Sequence, residues 1–417
     1  MSSTSSSASG TATKTVFAHM IVGNTASMAY NDWKNDITLA KAAGIDGFAL
    51  NIGGDPYTAG SLVNAYTAAI EVGEFKMFIS FDYAAHTFSQ SDAITIINTY
   101  NFYSSQYRVS GKPLVSTFEG PANQGDWATI RASTNCFFIP DWSSIGPTPA
   151  YPVSLVDGAL SWDAWPVGAA DKTTDVDVAY RNILGTKPYM MPVSPWFYTN
   201  LPAYGKNWTW RGDSLWHQRW QQVIELQPEF VQILSWNDFG ESHYIGPIYE
   251  SAVVAEATKY VNNMVHDHWR DVLPYYIAAY KSNNTTIPSV TQEKLIYWYR
   301  INPNDASGCS PGTTGNAPWQ PTTNPALVAT NKVFLSALLS FPATITVQIG
   351  SVVTTLSATT VGVNHFSVPY DTSSLGTGVV KFTMTRNGQI ISSTTGPTIT
   401  TNCVSGIINW NAIVGSS

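Results

Sequence analysis

The runs TVFAHMI at residues 15–21 and DGFALN at residues 46–51 are short and apolar, and an amphipathic helical pattern at 31–43 separates them. Strands that are apolar on both faces are typical of a parallel sheet covered by helices. The same unit recurs along the first two-thirds of the chain. Further strands are predicted at 76–82, 113–118, 136–141, 158–162, 188–194 and 230–236, and further helices at 60–73, 91–104, 171–184 and 213–227.

Eight such units in about 265 residues fit the size of a (β/α)8 barrel, which typically takes about 250 residues. A doubly wound open sheet is the alternative. That fold usually has a Gly-rich phosphate turn after its first strand, and Gly23-Asn24-Thr25 is not such a turn. We therefore predict an α/β chain with a (β/α)8, TIM-like barrel over residues 14–284.

The last part of the chain replaces helical periodicity with Asn-, Thr-, Pro- and Gly-rich stretches and short β-rich runs. The β-rich runs lie at 294–300, 332–339, 343–349, 364–368 and 378–385. This pattern is typical of a small antiparallel β-sandwich. We predict an all-β sandwich as an accessory domain over 285–417, helices at about 250–282 that close the barrel, and a disordered Ser-rich leader over 1–13.

The composition favours a neutral partner rich in hydroxyl groups. Charged residues make up 12% of the 417 residues, aromatic residues make up 13%, and 15 of these are tryptophans. The net charge is −7, from 21 basic and 28 acidic residues, without a Lys/Arg cluster, which excludes nucleic acid as a partner. No apolar run reaches the roughly 18–20 residues of a membrane helix, so no membrane partner is expected, and we expect a monomer.

The cysteines and glycosylation sequons point to the cell exterior. Cys309 and Cys403 flank strands of the C-terminal region and are the disulfide candidates, whereas Cys136 lies in an apolar run and is predicted to be a buried thiol. Sequons occur at Asn207, Asn283 and Asn284. The segment MSSTSSSASG at 1–10 lacks the apolar centre of a signal peptide. We nevertheless expect a secreted protein located at the cell wall.

Polar and aromatic side chains recur where the predicted strands end. In a (β/α)8 barrel, functional residues lie at the carboxyl ends of the strands, so these side chains should share one mouth. Carboxylates that bind hydroxyls and aromatic faces that stack on sugar rings together predict a polysaccharide cleft. The predicted substrate contacts are His19, Asn51, Asp55, Asp82, Glu119, Asp141, Trp142, Asp163, Trp165, Trp196 and Tyr198, with Trp162 beside Asp163.

The segment SWNDFGESH at 235–243 ends the eighth predicted strand. It carries Asp238 and Glu241, and Gly240 between them is expected to let the backbone turn so that both acids face the mouth. Glycoside hydrolysis needs one carboxylic acid to protonate the leaving oxygen and one carboxylate that acts on water or on the anomeric carbon. We predict that this pair is catalytic. Four neighbours are also predicted to contact the substrate, namely Trp236, Asn237, His243 and Tyr244.

Simpler explanations exist for each of these residues. A lone Asp at a strand end is as often a helix N-cap, a single Trp is more often part of the core, and Glu241 could cap the next helix with Asp238 bonded to it. Recurrence in six or more consecutive units favours function. The chain has no G-x-S-x-G elbow and no H-E-x-x-H pair, and we predict neither a metal nor a cofactor.

Four passages together resemble glycoside hydrolase family 71, the fungal endo-α-1,3-glucanases also called mutanases. They are VFAHM at 16–20 with Gly23-Asn24, AGIDGFALN at 43–51, FISFD at 78–82, and SWNDFGESH with YIGP at 235–247. The resemblance covers about residues 14–280 and extends into the C-terminal domain. A related endo-mannosidase family has a similar W-N-E-W-G-E segment with both acids catalytic, and here Asp238 replaces the first Glu.

The resemblance implies a (β/α)8 barrel with a β-sandwich and inverting, endo-acting hydrolysis of α-1,3-glucan. Our hypothesis is that Glu241 is the general acid, with a pKa raised among Phe239 and Trp236, and that Asp238 is the general base. The sequence leaves the order of these two roles open. Two alternatives also remain open, namely a glycosidase of the same architecture acting on an α-mannoside or an α-1,4-glucan, and a non-catalytic glucan-binding wall protein.

Overall fold

A computed structural model describes residues 14–374 and 378–417, so the predicted leader at 1–13 lies outside the described residues. The first part of the chain alternates strands and helices, as predicted. Its strands are β1 Thr15–Ile21, β2 Gly47–Ile52, β3 Lys76–Asp82, β4 Arg108–Val109, β5 Lys112–Phe118, β6 Phe137–Asp141, β7 Ala159–Leu160, β8 Tyr189–Val193, β9 Tyr198–Leu201, β10 Lys206–Thr209 and β11 Phe230–Ile233.

Eight parallel strands close into a barrel, which confirms the predicted fold. The order around the barrel is β1, β2, β3, β5, β6, β7, β8 and β11, and β11 pairs with β1 again. All eight correspond to predicted strands, although β7 has only two of the five residues predicted at 158–162. Two short elements were not predicted, namely β4, which pairs antiparallel with β5, and the antiparallel hairpin of β9 and β10.

The helices lie outside the barrel and begin within a few residues of their predicted starts. They are α1 Tyr30–Ala42, α2 Thr58–Val72, α3 Gln90–Asn101, α4 Asp126–Thr134, α5 Asp175–Leu184, α6 Leu215–Leu226, α7 Thr258–Val261 and α8 Leu273–Lys281. The sequence analysis did not predict α4. The region at 250–282, predicted as helices, is mostly short 3-10 turns before α8.

The barrel interior has an apolar layer to which each strand contributes one side chain. This layer consists of Phe17, Ala49, Phe78, Leu114, Ile139, Leu160, Met190 and Phe230. Side chains two residues apart on a strand share a face. The next inward positions are polar on most strands, at His19, Asn51, Ser80, Ser116, Asp141 and Gln232. The interior therefore changes from apolar to polar towards the carboxyl ends of the strands, and these polar residues form the floor of the mouth.

The C-terminal part consists of two four-stranded antiparallel sheets. The remaining elements are β12 Lys294–Arg300, α9 Pro325–Val328, β13 Lys332–Leu339, β14 Ala343–Ile349, β15 Val352–Ala358, β16 Gly362–Pro369, β17 Val380–Arg386, β18 Gln389–Gly396 and β19 Ala412–Ser416. One sheet has the order β16-β13-β12-β19 and the other has the order β15-β14-β17-β18. The sequence analysis did not predict β15, β18 or β19.

Strand β12 joins the sheets to the barrel because both of its faces are buried. Tyr297 and Tyr299 face the core between the two sheets. Trp298 belongs to the core of the barrel helices, and its indole N–H donates to the carbonyl of Asp213 at 2.7 Å. Trp410 is buried in the same core, where its carbonyl accepts from the indole of Trp196 at 2.9 Å. One apolar core therefore spans the barrel and the inner sheet.

The structure joins Cys309 to Cys403 in a disulfide, and Cys136 is a buried free thiol. Of the three sequons, Asn283 and Asn284 are exposed after α8. Asn207 is half-buried in β10, where its side-chain oxygen accepts from Asn200 at 2.9 Å. Among the described residues, no helix is both long enough and apolar enough to cross a membrane.

The shared core makes a prediction about unfolding. We expect Trp410→Ala to lower the free energy of unfolding by about 3–5 kcal/mol, because it empties a large buried site. We also expect one urea transition, seen alike by tryptophan fluorescence and circular dichroism, because the barrel and inner sheet share that core. The control is Phe102→Ala, whose ring is 88% exposed, with an expected change within about 0.5 kcal/mol. Two separate transitions in the wild-type chain would contradict a shared core.

Candidate active site

The segment that follows β11 forms a loop anchored at a single serine. The backbone N–H of Ser235 donates to the carbonyl of His243 at 2.8 Å, and that of Ile245 donates to the carbonyl of Ser235 at 3.0 Å. The hydroxyl oxygen of Ser235 accepts from the backbone N–H of Asp238 at 2.8 Å and lies 3.0 Å from Nδ1 of His243. The loop thus leaves the strand and returns to it, and it presents Asp238 and Glu241 at the mouth.

The turn between the two acids differs from the one predicted. Within 235–243 the positive φ belongs to Ser242, at 60°, rather than to Gly240. Gly240 has a different use, because a Cβ there would lie only 3.2 Å from Cδ1 of Leu201. A glycine at this position therefore lets the loop pack closely against the β9–β10 hairpin.

Asp238 and Glu241 lie side by side. The backbone N–H of Glu241 donates to Oδ1 of Asp238 at 3.0 Å. Nε2 of His243 is 3.0 Å from one carboxylate oxygen of Glu241 and 3.5 Å from one of Asp238. Nζ of Lys206 donates to the other Glu241 oxygen at 2.8 Å.

These groups are close enough to share a proton or a cation. One oxygen from each acid and one ring nitrogen of His243 lie within 4.8 Å of one another. Carboxylate oxygens and an imidazole nitrogen are able to ligate a divalent cation. The ammonium group of Lys206 already supplies a positive charge to the same cluster.

The two acids have opposite pKa shifts. Burial raises the pKa of Asp238, and the charge of Glu241 beside it raises it further. Burial also acts to raise the pKa of Glu241, but the hydrogen bond with His243 and the Lys206 ammonium outweigh it and lower that pKa to about 2. The predicted raised pKa of Glu241 is therefore wrong. Of the two acids, Asp238 is the one that keeps its proton to higher pH.

The floor beside this pair is built from predicted site residues. Nδ1 of His19 lies 3.0 Å from the side-chain nitrogen of Gln232. Burial and the nearby His243 lower the pKa of His19 to about 3, so its ring is neutral at ordinary pH. Asn51 is hydrogen-bonded to the carboxylate of Asp82, whose pKa is raised by burial. The structure therefore brings His19, Asn51 and Asp82 together around the pair.

Asn237 holds the loop rather than facing the mouth. Its side-chain oxygen accepts from the backbone N–H of Ile21 at 2.8 Å, and its side-chain nitrogen donates to the carbonyl of Ile21 at 3.0 Å. Because both ends of the amide are engaged, Asn237 fixes the loop to the end of β1.

Two of the predicted acids on the far side of the mouth have different surroundings. Glu119 is half-buried and accepts from the backbone N–H of Ser144 at 2.9 Å. Asp141 is completely buried and accepts from the backbone N–H of Ser143 at 3.1 Å. Burial raises the pKa of Asp141 well above its usual range. The Asp141 side chain is enclosed by protein in this structure, and its sugar contact stays a prediction.

Asp163 and Asp55 lie further around the rim. Asp163 forms an ion pair with Lys172, which lies in the loop before α5. Asp55 is half-buried, and its Oδ2 lies 3.4 Å from the position that a Cβ on Gly23 would take, next to the end of β1. Both remain predicted contacts for a longer ligand.

The six Trp and Tyr side chains predicted to contact sugars are all buried, which is a correction to that prediction. The buried set is Trp142, Trp165, Trp196, Tyr198, Trp236 and Tyr244. Several of these side chains donate hydrogen bonds to other groups of the protein. The indole of Trp236 donates to Asp36 of α1, the indole of Trp165 donates to the carbonyl of Trp196, and the hydroxyl of Tyr244 donates to the carbonyl of Met264. These rings are part of the packing and present no face to a sugar.

Trp162 is the aromatic residue that the structure places at the floor. Its ring is half-buried and makes edge contacts with His19 at 4.9 Å and with Phe118 at 4.6 Å between ring centroids. Trp162 lies at a predicted strand end but was not among the predicted substrate contacts. The signal was its spacing, because Trp162 lies two residues after the inward-facing Leu160.

Lys206 was missed altogether. It is the first residue of β10 in the unpredicted hairpin, and it reaches Glu241 across the mouth. The alternation of Lys206, Trp208 and Trp210 in a short run was the available signal, because it indicates a strand with one packed face.

Comparisons with known proteins show the family of this chain. Residues 12–417 match the family model for glycosyl hydrolase family 71. The chain is 36% identical over 420 residues to a glucan endo-1,3-alpha-glucosidase of Schizosaccharomyces pombe, covering 97% of this chain and 95% of that protein. It is also 36% identical over 415 residues to a mutanase of Penicillium rubens, covering 97% of this chain and 89% of that protein.

A solved structure supports the fold alone. A GH99 endo-alpha-mannosidase from Bacteroides thetaiotaomicron superposes with a TM-score of 0.50 at 14% identity, covering 65% of this chain and 98% of that one. The family match extends over both the barrel and the β-sandwich, and the two relatives align over nearly their whole lengths. The chain therefore belongs to glycosyl hydrolase family 71 and is a glycoside hydrolase.

Proposed function

We propose that this chain is an endo-acting glucanase that hydrolyses α-1,3-glucosidic linkages in α-1,3-glucan. The observation that carries the proposal is the pair of Asp238 and Glu241 at the mouth of the barrel, held by His243 and Lys206. The substrate class is supported by relatives named as a glucan endo-1,3-alpha-glucosidase and a mutanase. A third relative, 34% identical over 71% of this chain, is named an ascus wall endo-1,3-alpha-glucanase. We further propose that the enzyme acts outside the cell, at the wall, as a monomer.

The directions of the two pKa shifts support the opposite assignment of acid and base from the one hypothesised from the sequence. We assign the general acid to Asp238, because burial and the neighbouring Glu241 carboxylate raise its pKa and so favour its protonated form. Glu241, whose pKa is about 2, stays ionised and acts as the base that takes a proton from the attacking water. His243 and Lys206 are positioning residues, because they hold the charge on Glu241 without touching the bond that breaks.

Inversion, which the family resemblance implies, requires a certain separation between the two carboxyl groups. Inverting enzymes hold their two carboxyl groups about 6.5–9.5 Å apart so that a water fits between base and sugar. Here one oxygen of each acid lies within 4.8 Å of the other. We therefore propose that the Glu241 carboxylate moves away from Asp238 when a glucan chain enters. The exposed Lys206 would move with it, since it lies on a surface hairpin.

The first prediction concerns the two acids. Asp238→Asn and Glu241→Gln should each lower kcat on α-1,3-glucan by at least about a hundredfold, because each removes one proton-transfer group. The measurement is the release of reducing ends, with circular dichroism to show that the variants are folded. Glu74→Gln is the matched control, since that carboxylate is 89% exposed on the surface. Near wild-type turnover in either site variant would overturn the assignment.

The second prediction concerns Lys206. Its ammonium lowers the pKa of Glu241, and the base must be ionised to work. Lys206→Met should therefore raise that pKa and move the acidic limb of the kcat/KM profile to higher pH, whereas Lys206→Arg should move it less. Lys34→Met, which removes a surface ion pair with Glu71, is the control and should leave the limb in place. An unchanged acidic limb in Lys206→Met would show that Lys206 does not set the charge of Glu241.

The third prediction concerns stereochemistry and mode of cleavage. Digestion of α-1,3-glucan, followed by NMR and by product sizing, should show the β-anomer first and internal fragments of mixed length. Early release of the α-anomer would instead match the short separation of the two acids and a retaining reaction. Release of single glucose units from chain ends would contradict endo action.

A further inference from the structure

Trp319 is an exposed tryptophan on the C-terminal part of the chain. Its side chain is 74% exposed, and its indole makes an edge contact with Trp208, with 5.7 Å between ring centroids. A single exposed aromatic residue is ordinary on a protein surface. The position of Trp319, however, connects it to the mouth of the barrel.

The segment that carries Trp319 is fixed against the β9–β10 hairpin. The backbone N–H of Thr209 donates to the carbonyl of Thr314 at 2.9 Å, so this segment pairs alongside β10. The indole of Trp210 donates to the side-chain oxygen of Gln320 at 2.8 Å, next to Trp319. The indole is thus attached to an ordered part of the surface, which lowers the entropy lost when a ligand binds.

Strand β10 links this segment to the catalytic pair. Side chains at alternate positions of a strand share a face, so Lys206 and Trp208 lie on one face of β10. Lys206 contacts Glu241 at one end of that face, and Trp208 contacts Trp319 further along it. Trp319 therefore lies on the mouth side of the hairpin.

A row of rings runs inward from Trp319. Trp208 stacks on Phe197 at 5.4 Å, and Phe197 stacks on His243 at 5.8 Å between ring centroids. His243 in turn contacts Glu241. Trp208 and Phe197 are buried, so in this row Trp319 is the ring whose face is open to solvent. Three successive ring contacts separate Trp319 from His243 beside the acids. This separation suits a binding position for a sugar that lies several units away from the bond to be cleaved.

We propose that Trp319 is a stacking platform for a sugar ring of α-1,3-glucan, at an outer subsite that the accessory domain adds to the cleft. This inference rests on the proposed function. The indole face would cover the C–H face of a glucose ring, which is apolar and uncharged, so binding needs no counter-charge. The β-domain would then extend the cleft instead of only supporting the barrel.

The experiment compares Trp319→Ala with Phe102→Ala on α-1,3-linked oligosaccharides of increasing length. Phe102 is the matched control because it is an exposed ring that follows α3, at the opposite end of the barrel. We expect Trp319→Ala to raise KM about three- to tenfold on oligosaccharides long enough to reach the indole, with kcat and the KM of the shortest substrate unchanged. Trp319→Phe should recover part of the loss. Equal KM values for both alanine variants on the longest substrate would overturn the proposal.

A binding measurement separates this inference from the proposed catalytic function. The Glu241→Gln chain, with and without Trp319→Ala, is sedimented with insoluble α-1,3-glucan, and the bound fraction is measured. Weaker binding with Trp319→Ala supports the platform even if the wild-type chain releases no sugar, and in that case only the catalytic proposal fails. Equal binding of the two chains, or no binding by either, would reject the platform.

Discussion

The ion pair between Lys206 and Glu241 joins two segments that are 35 residues apart, the β9–β10 hairpin and the loop after β11. Without that ammonium, Glu241 would lie half-buried beside Asp238 with only His243 as a partner, and two neighbouring acids would compete for one proton. With it, one acid stays charged and the other keeps its proton to higher pH. The different pKa shifts of the two acids therefore depend on His243 and on Lys206, which is remote in sequence and is positioned by the hairpin.

The fold itself follows from simple periodicities, which is why the sequence predicted it well. The eight barrel strands are apolar on both faces, and their inward residues change from an apolar layer to polar residues such as His19 and Gln232 over two residues. This change between inward positions two residues apart creates a polar floor inside a barrel whose interior is otherwise apolar. The β-rich runs after residue 284 also correspond to strands in the structure, as predicted. Strands β15 and β18, which were not predicted, are rich in Thr and Ser and lie at the two edges of the outer sheet. Their side chains are mostly not buried, so their hydrophobic pattern is weaker.

Only part of the site could be predicted from the sequence, for physical reasons. The acids were identified because they closely follow a strongly apolar strand. The aromatic platforms were not, because sequence position does not say on which side of the chain a ring lies. Trp236 follows the last barrel strand, yet its indole turns outward to Asp36, whereas Trp162 turns inward to His19. Lys206 and the pKa of Glu241 depend on contacts between distant segments, which no local pattern encodes.

The central claim is that the charge lies on Glu241 and the proton on Asp238. Neutron diffraction tests it most directly, on a deuterium-exchanged crystal of the free enzyme at a pH where the pair carries one proton. The account predicts deuterium on the Asp238 carboxyl group, none on Glu241, and a fully deuterated Lys206 ammonium facing Glu241. Deuterium on Glu241 with Asp238 ionised would contradict it.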